Sequence, residues 1–377
     1  MGVLAHRHLA GHHRRYPRRR AARVLVRSQG ELDVTPRKRF RKITQRMRPR
    51  GGIRLVTASP QSEALRELRA GLARTPPEIP CKYFYDDRGS TLFEDITALP
   101  EYYPTRTERA LLKAQARRIV ETAGGANLRE MIELGSGAAS KTVALLDAAL
   151  RLGGRPRYTA VDISSRALTR TREVIFAAHP QIAVQGIQAD YGADFALPAA
   201  TGPRLALFLG GTIGNYEDPG AIELLSRVRN QLSPGDFLLL GANLVTDPAV
   251  IHAAYNDSQG VTAAFNKNIL LAVNALARSS FNPDDFDHHA PYLVERRRIE
   301  MWLVARQPLE IQLGRIGGSL FVLEGDGIRT EISRRFSRAG VLRLLDDAGF
   351  TPERWFESAD GRFGLGLGKA REVVRSL

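Results

Sequence analysis

Between residues 130 and 240 the apolar positions switch repeatedly between two spacings. Short apolar runs at 130–134 (EMIEL), 158–161 (YTAV), 183–187 (AVQGI), 204–209 (RLALFL) and 236–240 (DFLLL) predict strands. Residues 140–152 and 166–179 repeat their apolar positions every three or four residues and predict helices between them. This alternation predicts an α/β protein with a mostly parallel sheet covered on both faces. Near the end, 341–350 (VLRLLDDAGF) predicts a helix, and 354–356 and 363–367 two short strands. Upstream, 59–75 predicts an amphipathic helix, capped by Ser62, with Leu65, Leu68 and Leu72 on its apolar face and broken by PPEIP at 76–80. The next thirty residues mix aromatics with charge, and Pro100 and Pro104 predict that part of them is loop. Residues 245–335 then read as an insertion between the fifth strand and the last helix. Together with 57–109 they are expected to form a second domain, leaving 110–244 and 336–377 as the sheet domain.

Composition changes this picture at one end only. The chain of 377 residues carries a net charge of +15, a surplus that usually suggests a phosphate-binding surface. Its location argues otherwise. Residues 1–50 hold 16 Lys and Arg against Glu31 and Asp33, a net of +14, so the rest of the chain carries only +1. Residues 1–56 therefore predict a basic, disordered head without a core of its own. No adequate apolar segment follows the basic one, which argues against a secretory signal, and weak helical periodicity argues against a transit peptide. A solvated tail, or a true start at Met47, is the simpler expectation. No nucleic-acid partner is expected for the folded body. The single cysteine, Cys81, allows no internal disulfide and fits a reducing, cytoplasmic setting. No apolar run reaches the length of a membrane span, so no membrane partner is expected. A monomer is expected, and no metal-ligating cluster stands out.

Candidate chemistry begins with MIELGSG at 131–137, where a strand ends and a helix begins. Gly135 and Gly137 permit a tight turn and close approach of backbone to a ligand, next to a helix N-terminus. The third glycine of a dinucleotide fingerprint is missing; Ser140 stands there. That absence disfavours a nicotinamide-dependent oxidoreductase. Asp162 ends the second strand, where a carboxylate can accept both hydroxyls of a ribose, and Asp190 follows the third. Either aspartate alone would be read as a turn or cap residue; glycine loop and two acids in that order form a nucleoside-binding pattern. After the fourth strand, GGTIGNY at 210–216 offers Asn215, a donor and acceptor in one side chain.

Several long strings occur in order: YFYDDRGSTLFEDITALPEYYPTRTE, ELGSGAASKT, FLGGTIGNY, AYNDSQGVTAAFNKNIL, RRIEMWL and RTEIS. Together they closely resemble the histidine Nα-methyltransferases of ergothioneine biosynthesis, from about residue 60 to the C-terminus. The resemblance implies a class I (Rossmann-like) methyltransferase core with a closing antiparallel hairpin, and a second α+β domain that binds the substrate. It implies S-adenosylmethionine as cofactor and trimethylation of the α-amine of L-histidine to hercynine. Another amino acid or small amine is the alternative substrate. It further implies that Gly135, Lys141, Asp162, Asp190 and Tyr191 hold the cofactor. Tyr102, Asn215 and Tyr255 would hold the amino and carboxylate groups, with Tyr85 near the amine. Glu331 and Ser333 would bind the imidazole in a pocket shaped by Met301 and Phe265. Two departures stand out: Asn243 and Thr246 replace an Asp and a Lys usual in the family, and Ala138 and Ala139 replace small polar residues of the loop.

Overall fold

The computed structural model describes residues 60–372 except Ala138 and Asp194. The basic head at 1–56, Met47 and Ala138 thus lie outside the described residues. Five strands follow the predicted runs: β1 (Glu130–Leu134), β2 (Arg157–Asp162), β3 (Val184–Gln188), β4 (Arg204–Phe208) and β5 (Phe237–Asn243). They pair in parallel in the order β5-β4-β1-β2-β3. The strand Phe363–Ala370 adds antiparallel to β5, and Phe350–Glu357 adds outside it, closing a seven-stranded sheet. This is the Rossmann-like methyltransferase order.

Every residue of β1, β4 and β5 is buried, as a strand covered on both faces requires. The period of two sorts them. Leu205 and Leu207 face a core shared with the helices Tyr103–Thr122, Val143–Arg151 and Ser165–Ala178, while Ala206 and Phe208 face Asp218–Gln231 and Arg338–Asp347.

A third core lies apart from the sheet. It gathers Leu68, Leu72, Phe84 and Ile96 with Ile269, Leu270, Ile299, Leu303 and Ile328. The central helix Val261–Ala277 packs there against an antiparallel sheet whose strands are Phe286–His289, Arg298–Ala305 and Gly327–Arg334. The chain before the first strand joins its edge: Ile79 N–H donates to the Arg329 carbonyl at 2.9 Å, and Arg329 N–H to that of Pro77 at 2.9 Å.

Three expectations need correcting. The first helix runs Pro60–Leu72, so Ser62 lies within its first turn and is not its cap. In the aromatic segment Pro100 does lie in a loop, Leu99–Tyr102, but Pro104 does not, and helices flank that loop. Asp86 caps a helix, Asp87–Ala98, by accepting the Gly89 N–H at 2.7 Å, and Pro104 sits in the first turn of Tyr103–Thr122, where its missing N–H costs nothing. The expected boundary at 109/110 falls inside that helix: Tyr103 packs in the third core, whereas Leu111, Leu112 and Ile119 pack on the sheet.

Candidate active site

The carboxyl edge of β1, β2 and β3 is where an open parallel sheet binds ligands. Gly135 leaves β1 with its N–H on the Val161 carbonyl, 2.8 Å away. Gly135 (φ +68°) and Gly137 (φ +52°) both adopt the left-handed backbone that favours glycine. A Cβ on Gly137 would meet nothing within 4 Å; one on Gly135 would stand 3.3 Å from the Tyr191 hydroxyl. Asp162 closes the loop, its Oδ2 accepting the Gly137 N–H at 3.0 Å and its Oδ1 the Ser164 N–H at 2.9 Å. Burial raises the Asp162 pKa against the pull of those N–H groups. Each oxygen keeps a further acceptor position, as a ribose diol needs. Tyr191 packs edge-on against Phe208, with ring centroids 5.5 Å apart. An open glycine turn, a two-oxygen acceptor and an aromatic cover fit S-adenosylmethionine.

The other two predicted cofactor residues are already engaged. Asp190 accepts from Lys82 Nζ at 2.6 Å and from the Gly192 N–H at 2.8 Å. Lys141 pairs with the buried Glu108, whose second oxygen accepts the Gly210 N–H at 2.7 Å. Lys141 therefore links the turn after β1 to the turn after β4. Below it, burial pushes the Glu133 carboxyl up to about 7, despite hydrogen bonds from Thr142 and Tyr158.

The turn after β4 carries Asn215 at the end of a short helical turn, Thr212–Asn215. This turn presses on the strand Gly327–Arg334: a Cβ on Gly214 would lie 3.1 Å from the backbone N and O of Arg334. The same Cβ would lie 3.7 Å from Ser333 Oγ, which sets the Asn215 turn beside Ser333. Asn215 Nδ2 donates to Cys81 Sγ at 3.5 Å, leaving Oδ1 without a hydrogen bond among the described residues. Glu331 and Ser333 stand opposite Met301 and Ile299 in register, two positions apart and on one face. Ser333 Oγ accepts from Arg335 Nη1 at 2.9 Å, so its O–H remains to donate. Glu331 has no hydrogen-bond or ion-pair partner among the described residues, and burial pushes its carboxyl up to about 7.

Aromatic rings wall this pocket. Tyr85 meets Phe93 edge-on at 5.6 Å and Phe265 at 6.0 Å; Tyr102 meets Phe93 at 6.3 Å. Tyr85, Tyr102 and Glu331 are half-buried, each keeping part of its surface open to solvent. Desolvation raises the Tyr85, Tyr102 and Tyr191 phenols well above 10, with Glu331 adding to the first two. Cys81 is pushed up to about 12 by burial and then by Glu331. Tyr191 feels both Asp162 and Cys81, while Tyr85 feels Cys81 and Glu331. Tyr255 ends the helix Pro248–Tyr255, and the Arg335 guanidinium lies over its ring at 5.6 Å.

Sequence reading missed four functional neighbours. Lys82 and Cys81 lie just before the YFYD string and carry no periodic signal. Glu108 was visible as a lone acid between apolar positions of a helix, and Arg335 as a cation directly after the predicted imidazole-binding strand.

Residues 64–370 match the family described as histidine-specific, S-adenosylmethionine-dependent methyltransferases. The chain is 39% identical to the histidine N-alpha-methyltransferase of Mycolicibacterium smegmatis, over 83% of this chain and 97% of that protein. It is 37% identical to the histidine N-alpha-methyltransferase of Mycobacterium tuberculosis, over 80% of this chain and 93% of that one. With ergothioneine biosynthesis protein 1 of Neurospora crassa it shares 29% identity, over 73% of this chain and 31% of that protein. This chain belongs to the family of histidine-specific, S-adenosylmethionine-dependent methyltransferases.

Proposed function

We propose that the chain methylates the α-amine of L-histidine, three times in succession, to give hercynine, the first step of ergothioneine biosynthesis. The observation that carries this is Glu331: a carboxylate without a partner among the described residues, two positions from the Ser333 hydroxyl, on the strand against which the Asn215 turn is pressed. A neutral imidazole carries one N–H and one bare nitrogen; Glu331 accepts from the first and Ser333 donates to the second. The third core, set apart from the two that cover the sheet, supports a division of labour. In this reading the sheet domain, with Asn215 at its edge, holds the cofactor, and the second domain, joined to it within the helix Tyr103–Thr122, holds the amino acid.

Gly135, Lys141, Asp162, Asp190 and Tyr191 would hold S-adenosylmethionine. When bound it supplies a methyl group on a cationic sulfur. The chain's own residues must then present a neutral amine in line with that methyl group and keep water out. Asn215 Oδ1 accepts an amine N–H, fixed in that role because Nδ2 is turned to Cys81. Tyr102 and Tyr255 hold the carboxylate. Tyr85 borders the amine as an un-ionised phenol, so it orients and does not act as a strong base. The Cys81 thiol also stays protonated and does not compete as a nucleophile. Each transfer to the neutral amine gives an ammonium that releases one proton to water before the next, and the rings of Tyr85, Phe93 and Phe265 face the growing methylated cation.

Mass spectrometry of L-histidine incubated with the protein and S-adenosylmethionine tests the proposal. A gain of three methyl groups on the α-nitrogen is expected. Turnover of other amino acids with none of histidine would overturn it.

A further inference from the structure

Arg335 carries a charge that the fold leaves uncompensated. It is 4% exposed, yet makes no ion pair among the described residues. Its Nη1 donates to the Ser333 carbonyl at 3.2 Å, Ser333 Oγ at 2.9 Å and the Arg334 carbonyl at 3.2 Å; its buried Nε has no hydrogen-bond partner among the described residues. These acceptors are neutral. One flank lies on the Tyr255 ring, 5.6 Å from its centroid, a contact that favours a cation but does not neutralise it. Arg204 is matched by Asp236 and Arg298 by Glu300 and Glu217, whereas Arg229, also 4% exposed, makes no ion pair among the described residues and donates to the Leu232 carbonyl at 3.3 Å; what sets Arg335 apart is its place on the Tyr255 ring. Arg335 favours the ionised form of Glu331, the candidate counter-charge on the strand that ends just before it. Glu331 stands outside ion-pair distance, and its carboxyl, pushed up to about 7, keeps its proton part of the time at neutral pH.

A buried guanidinium without an anion calls for one from outside. Its neighbours say which. Tyr255 and Tyr102, whose hydroxyls feel the Arg335 charge, are the residues assigned to the substrate's carboxylate in the proposed function, on which this inference rests. We propose that Arg335 is the positioning charge of the amino-acid pocket: from behind Tyr255 it orients the Tyr255 and Tyr102 hydroxyls toward an anion and selects substrates that carry a free α-carboxylate. Arg335 does not touch the substrate. It also fixes Ser333 as a donor by occupying an acceptor position of Oγ.

The test compares L-histidine with L-histidinamide, which keeps the amine and the imidazole but has no negative charge. Binding to the full chain, saturated with S-adenosylhomocysteine, is measured by calorimetry. The wild type is expected to prefer histidine by roughly tenfold or more. In Arg335→Met histidine should weaken by a similar factor, while histidinamide stays within about twofold, so that the preference collapses. Arg335→Lys, which keeps the charge, should restore most of it. Equal weakening of both ligands would mean a structural role and overturn the proposal, as would an unchanged preference in Arg335→Met. If that variant fails to fold, the wild type and Arg335→Lys still decide. Equal wild-type affinity for the two ligands, or loss of the preference in a folded Arg335→Lys, overturns the proposal; a preference kept in both supports it. A wild type that binds and methylates no histidine would instead sink the proposed function itself.

Discussion

The cofactor edge and the amino-acid pocket lie side by side but are built in opposite ways. At the edge, the polar groups are satisfied within the protein. Asp162 takes two backbone N–H groups, Asp190 pairs with Lys82, and Lys141 pairs with Glu108. In the pocket they are not: Glu331 has no partner and Arg335 has no anion among the described residues. A site that holds its ligand by backbone shape can be complete beforehand, because its dipoles are fixed by strand ends and glycine turns. A site that recognises by charge keeps some polar groups unpaired until the ligand arrives, and that is where its specificity resides.

The largest expected effect breaks this contrast at its centre. Glu331→Ala should lower kcat/KM for histidine roughly 100-fold, about 3 kcal/mol, because a hydrogen bond to a charged group is lost from the pocket. Affinity for S-adenosylmethionine should stay unchanged, and the gap between histidine and phenylalanine or tryptophan should narrow. Steady-state kinetics on the three amino acids, with calorimetry for the cofactor, check this. Wild-type histidine kinetics in the variant would remove Glu331 from recognition.

The same carboxylate should make its presence felt without substrate. Burial raises its pKa from 4.5 to about 7, so the folded state keeps a proton that the unfolded state has released. Stability is therefore lost as pH rises from 4.5 to 7 and stays lower above that. Glu331→Gln, which cannot ionise, should match the wild type near pH 4.5 and exceed it at pH 8 by about 2–3 kcal/mol. Urea denaturation of the ligand-free protein at the two values measures the difference. A variant no more stable at pH 8 would show that the pocket is wetter than its wall of rings suggests. Glu133, also raised to about 7, is common to both proteins and cancels.

On the cofactor side, Asp162→Ala should weaken S-adenosylmethionine by about 1–3 kcal/mol through loss of the diol acceptor. Because Asp162 also holds the Gly137 and Ser164 N–H groups, some loss should appear as a looser loop. Calorimetry with adenosine and with S-adenosylmethionine separates the two. Weakening confined to S-adenosylmethionine would place the effect in the loop and not on the ribose.

How far each side could be read from sequence follows from how it is built. The cofactor edge lies on consecutive strands, so apolar runs locate the strand ends and the glycines and aspartates fall where a nucleoside site requires them. The runs even placed β1 at Glu130–Leu134 without error. The pocket draws on residues 81–102, 215, 255–265, 301 and 331–335, brought together only by tertiary packing. No local period announces such a gathering, and Tyr85, Tyr255 and Glu331 were readable through family resemblance alone. Partners that complete a charge pair were read least well. That Lys82 meets Asp190 across 108 positions, or that Arg335 lies on Tyr255, has no signature in spacing.

The smallest expected effect lies where the two regions meet. Asn243 ends β5. Its Oδ1 accepts from the Tyr103 hydroxyl at 2.7 Å and from the Val245 N–H at 3.2 Å, and its carbonyl accepts the Phe336 N–H at 2.9 Å. Tyr103 packs in the third core, so this hydroxyl ties that core to the sheet. Tyr103→Phe keeps the ring and its contact with the Arg362 guanidinium, 5.6 Å from the centroid, and removes one hydrogen bond. Asn243 Oδ1 keeps its bond from Val245, so no buried acceptor is orphaned and the cost should be only about 1 kcal/mol of stability. The informative measurement is whether cofactor binding still strengthens histidine binding by the wild-type factor, since coupling between two sites is reciprocal. If the hydroxyl is a passive tie, the factor is unchanged. A lower factor at unaltered cofactor affinity would make this junction the path by which the satisfied region prepares the unsatisfied one.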